Sequence, residues 1–302
     1  LPISPLSVEI LVIGAGVLGL CAAAELTRRG HEVRVLDPGG LNASAVAAGM
    51  IAPGLESAID DVAPERAALL RRAADLWPGF AGDHGLALLD DGAEWRGEGA
   101  DDIEARLIAL GFASRRTEDR VFVPEDRRVD AGAALDALAE ALNEPVIRGE
   151  ATFLTLVDGR WRVLHSGGVV DARAIVVATG AAASLSGVPA AVARRLAAIT
   201  PIRGQIGRTS ALGGAGVVRG RGAYAVTGQG ATLIGATMEP GRRDLQPDPD
   251  QGRALTAALL GVTGTAVAPD EVEWRVGVRG ATPDGLPLAG YSGAPGLFQI
   301  GR

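Results

Sequence analysis

The chain has 302 residues, is 47% hydrophobic and carries a formal net charge of −7 at pH 7, which excludes intrinsic disorder as its main state. All 29 basic side chains are arginine, so a Schiff-base lysine and a phosphate-binding lysine of the Walker type are excluded. The acidic balance argues against a nucleic-acid partner, and one cysteine with three scattered histidines argues against a metal site.

The first elements of the chain predict a βαβ unit. Residues 8–13 form a short apolar run, typical of a buried parallel strand. Residues 18–29 are rich in alanine and predict a helix that ends at Gly30. Residues 32–36 predict a second strand, which ends immediately before Asp37.

The remaining elements alternate without an internal repeat, which predicts an α/β fold with interleaved domains. Residues 41–53 are predicted as a loop of small residues, with or without a helical turn. Helices are predicted over 64–76, 101–110, 130–142 and 251–260. Strands are predicted over 85–89, 120–123, 151–157, 160–165, 169–171, 174–178, 205–209, 223–227, 232–237, 272–278 and 297–300.

The sequence predicts a cytoplasmic protein without a membrane span. No basic segment precedes an apolar core at the N-terminus, which argues against a signal peptide. The longest uncharged stretch, residues 174–193, is interrupted by two glycines and a proline. We interpret it as a strand, a turn and a loop.

Gly14, Gly16 and Gly19 form a GxGxxG motif between the first strand and the first helix. In this context the first glycine allows a tight turn, the second allows a pyrophosphate to approach, and the third lets helix and strand pack closely. Asp37 follows Gly14 by 23 residues and is placed to accept a hydrogen bond from a ribose hydroxyl. The motif favours a dinucleotide over an unliganded turn, but it does not separate FAD from NAD.

A second turn, Ala178–Thr179–Gly180, follows the predicted strand over residues 174–178. Such a turn at the carboxyl end of a buried strand can approach a cofactor closely. It is equally compatible with a plain turn that ends a strand.

Several stretches together resemble the D-amino acid oxidase family of FAD-dependent oxidoreductases, and within it the glycine oxidase type. They are the segment 10–37 with the GxGxxG motif, ASAVAAGMIAP at 43–53, ATG at 178–180, PIRGQ at 201–205, GATME at 235–239, and WRVGVRGATPDGLPLAG at 274–290. The similarity follows the order of nearly the whole chain. Members of the family continue past the position of Arg302 through a glycine-rich segment and a helix.

The resemblance implies an FAD-binding Rossmann-like domain and an interleaved substrate domain built on an antiparallel sheet. We expect residues 1–83, 145–200 and 279–302 in the FAD domain, and residues 84–144 and 201–278 in the substrate domain. The implied reaction oxidises glycine or another small amino acid, such as a D-amino acid or sarcosine. Its products are an α-keto acid, ammonia or an amine, and hydrogen peroxide, with dioxygen as the second substrate.

The resemblance also assigns site residues. Arg279 matches the arginine that holds the substrate carboxylate, and Tyr224 matches a tyrosine that donates to the same group. Tyr224 is equally compatible with a core position, Met238 with simple packing, and Arg203 with a structural turn. The expected pocket residues are Met50, Met238 and Arg203, and the expected residues around non-covalent FAD are Gly14, Gly16, Gly19, Asp37, Ala48, Gly49, Met50, Thr179 and Gly180.

Other functions stay open at this level. A flavin dehydrogenase that passes electrons to an acceptor other than oxygen would carry the same motifs. So would a non-catalytic flavin-binding protein, or an α/β protein with an empty cleft. The resemblance further implies a homo-oligomer and, if glycine is the substrate, a role in thiamine biosynthesis.

Overall fold

The computed structural model describes residues 5–182, 185–214, 216–228 and 230–301. The helices are α1 (Val17–Arg28), α2 (Ala43–Val46), α3 (Pro53–Ile59), α4 (Pro64–Asp75), α5 (Trp77–Asp83), α6 (Ala100–Ala109), α7 (Ala131–Glu140), α8 (Ala190–Ala197) and α9 (Pro249–Thr263). The strands are β1 (Leu6–Ile13), β2 (Val33–Asp37), β3 (Met50–Ile51), β4 (Leu88–Leu89), β5 (Ala93–Arg96), β6 (Arg115–Thr117), β7 (Arg120–Val123), β8 (Arg127–Val129), β9 (Ile147–Arg148), β10 (Ala151–Val157), β11 (Arg160–His165), β12 (Gly168–Val177), β13 (Thr200–Thr209), β14 (Gly216–Gly220), β15 (Ala223–Gly228), β16 (Ala231–Gly235), β17 (Glu239–Pro240), β18 (Glu273–Ala281), β19 (Leu288–Tyr291) and β20 (Leu297–Gly301).

The first sheet contains the predicted βαβ unit and has the strand order β10-β11-β12-β1-β2-β9, with β20 beside β12 and β19 beside β20. Strand β1 lies between β12 and β2 and pairs in parallel with both. Its residues from Leu11 to Ile13 are 0–3% exposed, as expected for a strand covered on both faces. The predicted α/β fold class is therefore confirmed.

The predicted break between residues 171 and 174 is wrong. Both predicted strands belong to the continuous strand β12, Gly168–Val177, and β1 pairs with it in one register from Leu6 opposite Val170 to Ile13 opposite Val177. The stretch 174–193 completes β12, makes a turn and enters α8, while residues 183 and 184 lie outside the described residues. Among the described helices none is long and apolar enough to cross a membrane.

The second sheet has the order β17-β13-β16-β15-β14-β5-β7-β6, with β18 paired to β13. Its pairs are antiparallel except for β14 with β5, which run parallel. The long helix α9 covers one face, where Ile234, Leu259 and Val262 are 0–5% exposed. Helices α3 and α6 cover part of the opposite face, where Leu55, Leu107 and Val217 are similarly buried.

Short elements depart most from the predictions. Only β4 is formed within the predicted strand over 85–89, and it joins β8 and β3 in a small third sheet. The predicted loop over 41–53 contains one helical turn, α2, which the prediction left open, and strand β3, which it did not include. The predictions do not include helices α3, α5 and α8 or strands β5, β14 and β19. Strand β5 pairs with β14, more than 100 positions away, whereas β19 forms a local hairpin with β20.

Asp126 holds the start of α3 and is fully buried. Its carboxylate accepts the backbone N–H groups of Gly54 and Leu55, at N···O distances of 2.7 and 3.0 Å. Burial nevertheless raises the pKa of Asp126 from 3.8 to about 7, against the opposing effect of these hydrogen bonds.

This shift predicts a pH-dependent stability. Protonated Asp126 adds to the free energy of unfolding in full below pH 4, and this addition is lost as the pH rises to about 7. In that range the unfolded chain has released the proton, whereas the folded protein still holds it. The free energy of unfolding of the wild type should therefore fall between about pH 4 and pH 7, measured by urea denaturation. Asp126→Asn should remove most of that fall, whereas Asp171→Asn should leave it in place, since arginine pairing lowers the pKa of Asp171. An unchanged fall in Asp126→Asn would refute this origin.

Candidate active site

The glycine motif packs directly against the second predicted turn. Gly14 has φ +113°, and a Cβ there would lie 2.4 Å from the carbonyl oxygen of Ala178. A Cβ at Gly19 would lie 2.0 Å from the carbonyl oxygen of Gly14. Both positions therefore exclude any side chain. The structure thus brings the GxGxxG motif and the Ala178–Thr179–Gly180 turn together, with Gly180 at φ +59°.

Helix α1 begins at Gly16, which caps it with an extended backbone and no side-chain hydrogen bond. The next N–H group, on Val17, donates to Oγ of Ser44 at 3.0 Å. Asn42 caps α2 and donates through Nδ2 to the carbonyl oxygen of Ala15 at 3.3 Å. Neither Ser44 nor Asn42 lies in a motif that would mark it from the sequence, although both lie in the small-residue segment that follows β2.

Asp37 supports the glycine motif from the end of β2. Its Oδ2 accepts the N–H of Ala15 at 2.8 Å, and its Oδ1 accepts the N–H of Gly39 at 2.7 Å. Each carboxylate oxygen has two acceptor sites, so both can still accept from a hydroxyl group. A helix N-terminus, three glycines that leave its approach open and an acid on the neighbouring strand are the features that a dinucleotide requires.

The residues expected beside the flavin ring lie where α2 leads into β3. Gly49 has φ +74°, and a Cβ there would lie 2.0 Å from the carbonyl oxygen of Val129. Met50 pairs with Arg128 of β8. Ala48 is buried at 6% exposure. The close contact with β8 is therefore sufficient to require glycine at position 49.

One face of the second sheet is turned toward these segments. Side chains alternate between the two faces of a strand, so Gly277 and Arg279 of β18 share a face. A Cβ at Gly277 would lie 3.0 Å from the Cα of Ala43 in α2. Helix α2 therefore contacts this face at Gly277. Arg279 lies two residues further along β18 on the same face.

Tyr224 of β15 lies opposite Gly235 of β16. A Cβ at Gly235 would lie 2.2 Å from the tyrosine hydroxyl oxygen, so the ring extends across the glycine. Burial raises the pKa of the Tyr224 hydroxyl, while the positive charges of Arg219 and Arg279 lower it and Glu56 raises it further. The hydroxyl is therefore protonated at neutral pH and can donate a hydrogen bond.

Arg279 and Met238 are both exposed and in contact, with Nη2 of Arg279 3.6 Å from Sδ of Met238. In the part of the chain that the structure describes, this sulfur is the only side-chain hydrogen-bond partner of Arg279. A guanidinium without a carboxylate partner can bind a carboxylate ligand in bidentate geometry.

Arg203 lies apart from this group. Its neighbour Ile202 pairs with Arg279, so alternation places the Arg203 side chain on the opposite face, toward α9. The side chain is 0% exposed. Its guanidinium donates to Asp244, Glu239 and the carbonyl oxygen of Gln246. The structure therefore brings Arg279, Tyr224 and Met238 to one side of the sheet and places Arg203 on the other.

Comparison with known proteins decides the family. Residues 9–301 match the profile of the DAO family, described as FAD dependent oxidoreductase. The chain belongs to the DAO family. The cofactor of this family is FAD, and the residues of the glycine motif and Asp37 fit that group.

Individual members of the DAO family show the same fold. Glycine oxidase from Geobacillus kaustophilus is 28% identical over 236 residues, which is 65% of this chain and 60% of that protein, so the match spans less than two thirds of the relative. The crystal structure of the same glycine oxidase has a TM-score of 0.79 at 22% identity and covers 98% of this chain and 89% of that chain. Iminodiacetate oxidase from Chelativorans sp. BNC1 has a TM-score of 0.77 at 25% identity and covers 97% and 89% of the two chains.

The DAO-family cofactor provides a test of Asp37. Asp37→Ala should raise the dissociation constant for FAD about 10-fold to 100-fold, since a hydrogen bond to a charged group contributes about 1.5–3 kcal/mol. The constant is measured by titrating the apoprotein with FAD and following flavin fluorescence. Glu9→Ala is the matched control, because Glu9 also accepts a backbone N–H but at the opposite end of the sheet. Equal constants for both variants would rule out the ribose contact.

Proposed function

We propose that this protein oxidises the amine of glycine or another small amino acid, a D-amino acid or sarcosine, with dioxygen as the electron acceptor. The products are an α-keto acid, ammonia or an amine, and hydrogen peroxide. The observation that carries the proposal is the placement of Arg279 and the Tyr224 hydroxyl on the sheet face that α2 approaches. The names of the similar proteins, glycine oxidase and iminodiacetate oxidase, support the same class of substrate.

The proposed role of this face is to hold the substrate by its carboxylate. The Arg279 guanidinium binds both oxygens, and the protonated hydroxyl of Tyr224 donates to one of them. Two contacts on one carboxylate fix the orientation of the α-carbon, which lowers the entropic cost of reaction. Met238 and Met50 line the space beside the carboxylate. FAD, when bound, supplies the acceptor for the hydride that leaves the α-carbon.

We further propose that FAD is held without a covalent bond by the motifs at the edge of the first sheet. Gly14, Gly16 and Gly19 admit the pyrophosphate, Asp37 accepts from the ribose, and the remaining contacts come from Ala48, Gly49, Met50, Thr179 and Gly180. Ser44 joins this set, because its hydroxyl already lies at the start of α1.

The two large sheets support the proposed domain division. Strands of the first sheet fall within 1–83, 145–200 and 279–302, while strands of the second sheet fall within 84–144 and 201–278 except for the ends of β13 and β18. A cytoplasmic location, a homo-oligomeric state and a role in thiamine biosynthesis stay predictions.

Oxygen consumption tests the proposed reaction. The purified flavoprotein is supplied with glycine, sarcosine or D-alanine in an oxygen electrode, and peroxide and keto acid are assayed in the same sample. We expect one peroxide and one keto acid per dioxygen consumed. Turnover that occurs only with an artificial electron acceptor would show that the protein is a dehydrogenase and not an oxidase. Bound flavin without turnover under either condition would leave a binding protein.

A further inference from the structure

An ion pair lies beside Tyr224 on the side away from Arg279. Arg219 of β14 pairs directly with Tyr224 across the sheet, so both side chains are on the same face. The Arg219 side chain is 12% exposed, and its Nη1 lies 2.5 Å from Oε1 of Glu56 in α3. The pair therefore connects the sheet to the helix that covers it.

The two arginines beside the Tyr224 hydroxyl differ in their partners. Arg279 has no carboxylate within salt-bridge distance among the described residues, whereas the charge of Arg219 is neutralised by Glu56. A carboxylate ligand is therefore attracted to the Arg279 side of the hydroxyl. The Arg219 side offers a large, polar but electrically neutral obstacle.

Both ends of the ion pair are fixed. On the sheet, Arg219 has Trp95 as its neighbour on β5, and the indole N–H of Trp95 is itself bonded to the carbonyl oxygen of Glu98 at 3.1 Å. On the helix, Glu56 follows Leu55, which is 0% exposed and whose N–H is held by Asp126. The core between sheet and helix therefore fixes the backbone positions of both residues and the largely buried Arg219 side chain, and the Glu56 carboxylate reaches Arg219 from the edge of that core.

We propose that the Glu56–Arg219 ion pair closes the substrate pocket on the side away from Arg279 and so restricts the protein to small amines. This inference rests on the proposed function, because it takes the substrate carboxylate to lie between Arg279 and Tyr224. A substituent longer than a methyl group would have to separate the two charges or remove water from them, and both changes cost free energy. Glycine and sarcosine carry no such substituent.

The double variant Glu56→Ala/Arg219→Ala tests the proposal while it preserves the net charge. The measured quantity is kcat/KM for glycine divided by kcat/KM for D-norvaline, and the same ratio with N-propylglycine. At least one of the two ratios should fall about 10-fold or more, since even a single methylene group can change kcat/KM by that amount. The control is Arg162→Ala/Asp171→Ala, which removes a bidentate pair at 2.8 Å from the other sheet. Both ratios unchanged in the Glu56/Arg219 variant would overturn the proposal.

A binding measurement separates this inference from the proposed function. The flavin absorbance change on titration gives dissociation constants for acetate and for pentanoate without any turnover. The dissociation constant for pentanoate divided by that for acetate should be larger in the wild type than in the double variant. Equal preferences would overturn the ion-pair barrier, even if glycine is oxidised. A wild type that oxidises no amine would refute the proposed function, while the ratio of binding constants still decides the barrier. Glu56→Ala/Arg219→Gln serves if the first double variant fails to retain flavin, because glutamine keeps a polar side chain at position 219 and leaves no unpaired charge there.

Discussion

Arg279→Met is expected to lower kcat/KM for glycine by about 30-fold to several thousandfold while the flavin content stays unchanged. Removing one partner of a hydrogen-bonded charge pair costs about 2–5 kcal/mol, and each 1.4 kcal/mol corresponds to a factor of ten. Arg279 is exposed and its contact is with Met238, so its loss removes little from the folded protein. The effect should therefore appear in catalysis and not in stability.

Arg275→Met is the matched control for this prediction. Arg275 lies on the same face of β18 and is paired with Glu273, so it tests the general effect of removing an arginine from this strand. Its kcat/KM should stay close to that of the wild type. Equal kinetics of the Arg279→Met variant and the wild type would withdraw Arg279 from the carboxylate site.

Arg203→Met is expected to destabilise the protein by about 1–3 kcal/mol, which is the cost of leaving buried hydrogen-bond acceptors without a donor. The guanidinium is fully buried, and both Glu239 and Asp244 are its ion-pair partners. It also donates to the carbonyl oxygen of Gln246. Its loss would leave the carbonyl oxygens of Asp244 and Gln246 without this donor, while Arg242 still pairs with Glu239 and Asp244.

The stability prediction has a control on the same strand. Arg208 is an exposed residue of β13, and Arg208→Met should change the free energy of unfolding by no more than about 0.5 kcal/mol. Arg203→Lys should fall between the two, because lysine keeps the charge but cannot reproduce the forked geometry of arginine. Urea denaturation followed by circular dichroism measures all three. Similar unfolding free energies for Arg203→Met and Arg208→Met would contradict the account.

The sequence predicts the first βαβ unit well because its signals are local. An apolar run, a helix after glycines and a second strand within about 30 residues need no distant partner to be recognised. The missed elements depend on tertiary contacts. Helix α3 has only seven residues and is held by Asp126, which lies more than 70 positions away. Strand β12 was divided by a polar segment that its long neighbour β1 keeps extended.

The candidate site follows the same division. The glycine motif, the ATG turn, Tyr224 and Arg279 are visible in the sequence because each lies in a recognisable segment. The sequence alone gives no sign that Glu56 and Arg219 form a pair, since 163 positions separate them. Strand alternation also places Arg203 on the face opposite Arg279, although both lie in segments that resemble family motifs.

Anaerobic reduction of the flavin by a defined amine tests the central claim most directly. The visible spectrum of the purified protein is recorded before and after addition of glycine, sarcosine and D-alanine in the absence of oxygen. We expect an oxidised flavin spectrum that is bleached by at least one of the three amines. A bound flavin that none of them bleaches would contradict the proposed amine oxidation and would leave only the fold and the cofactor.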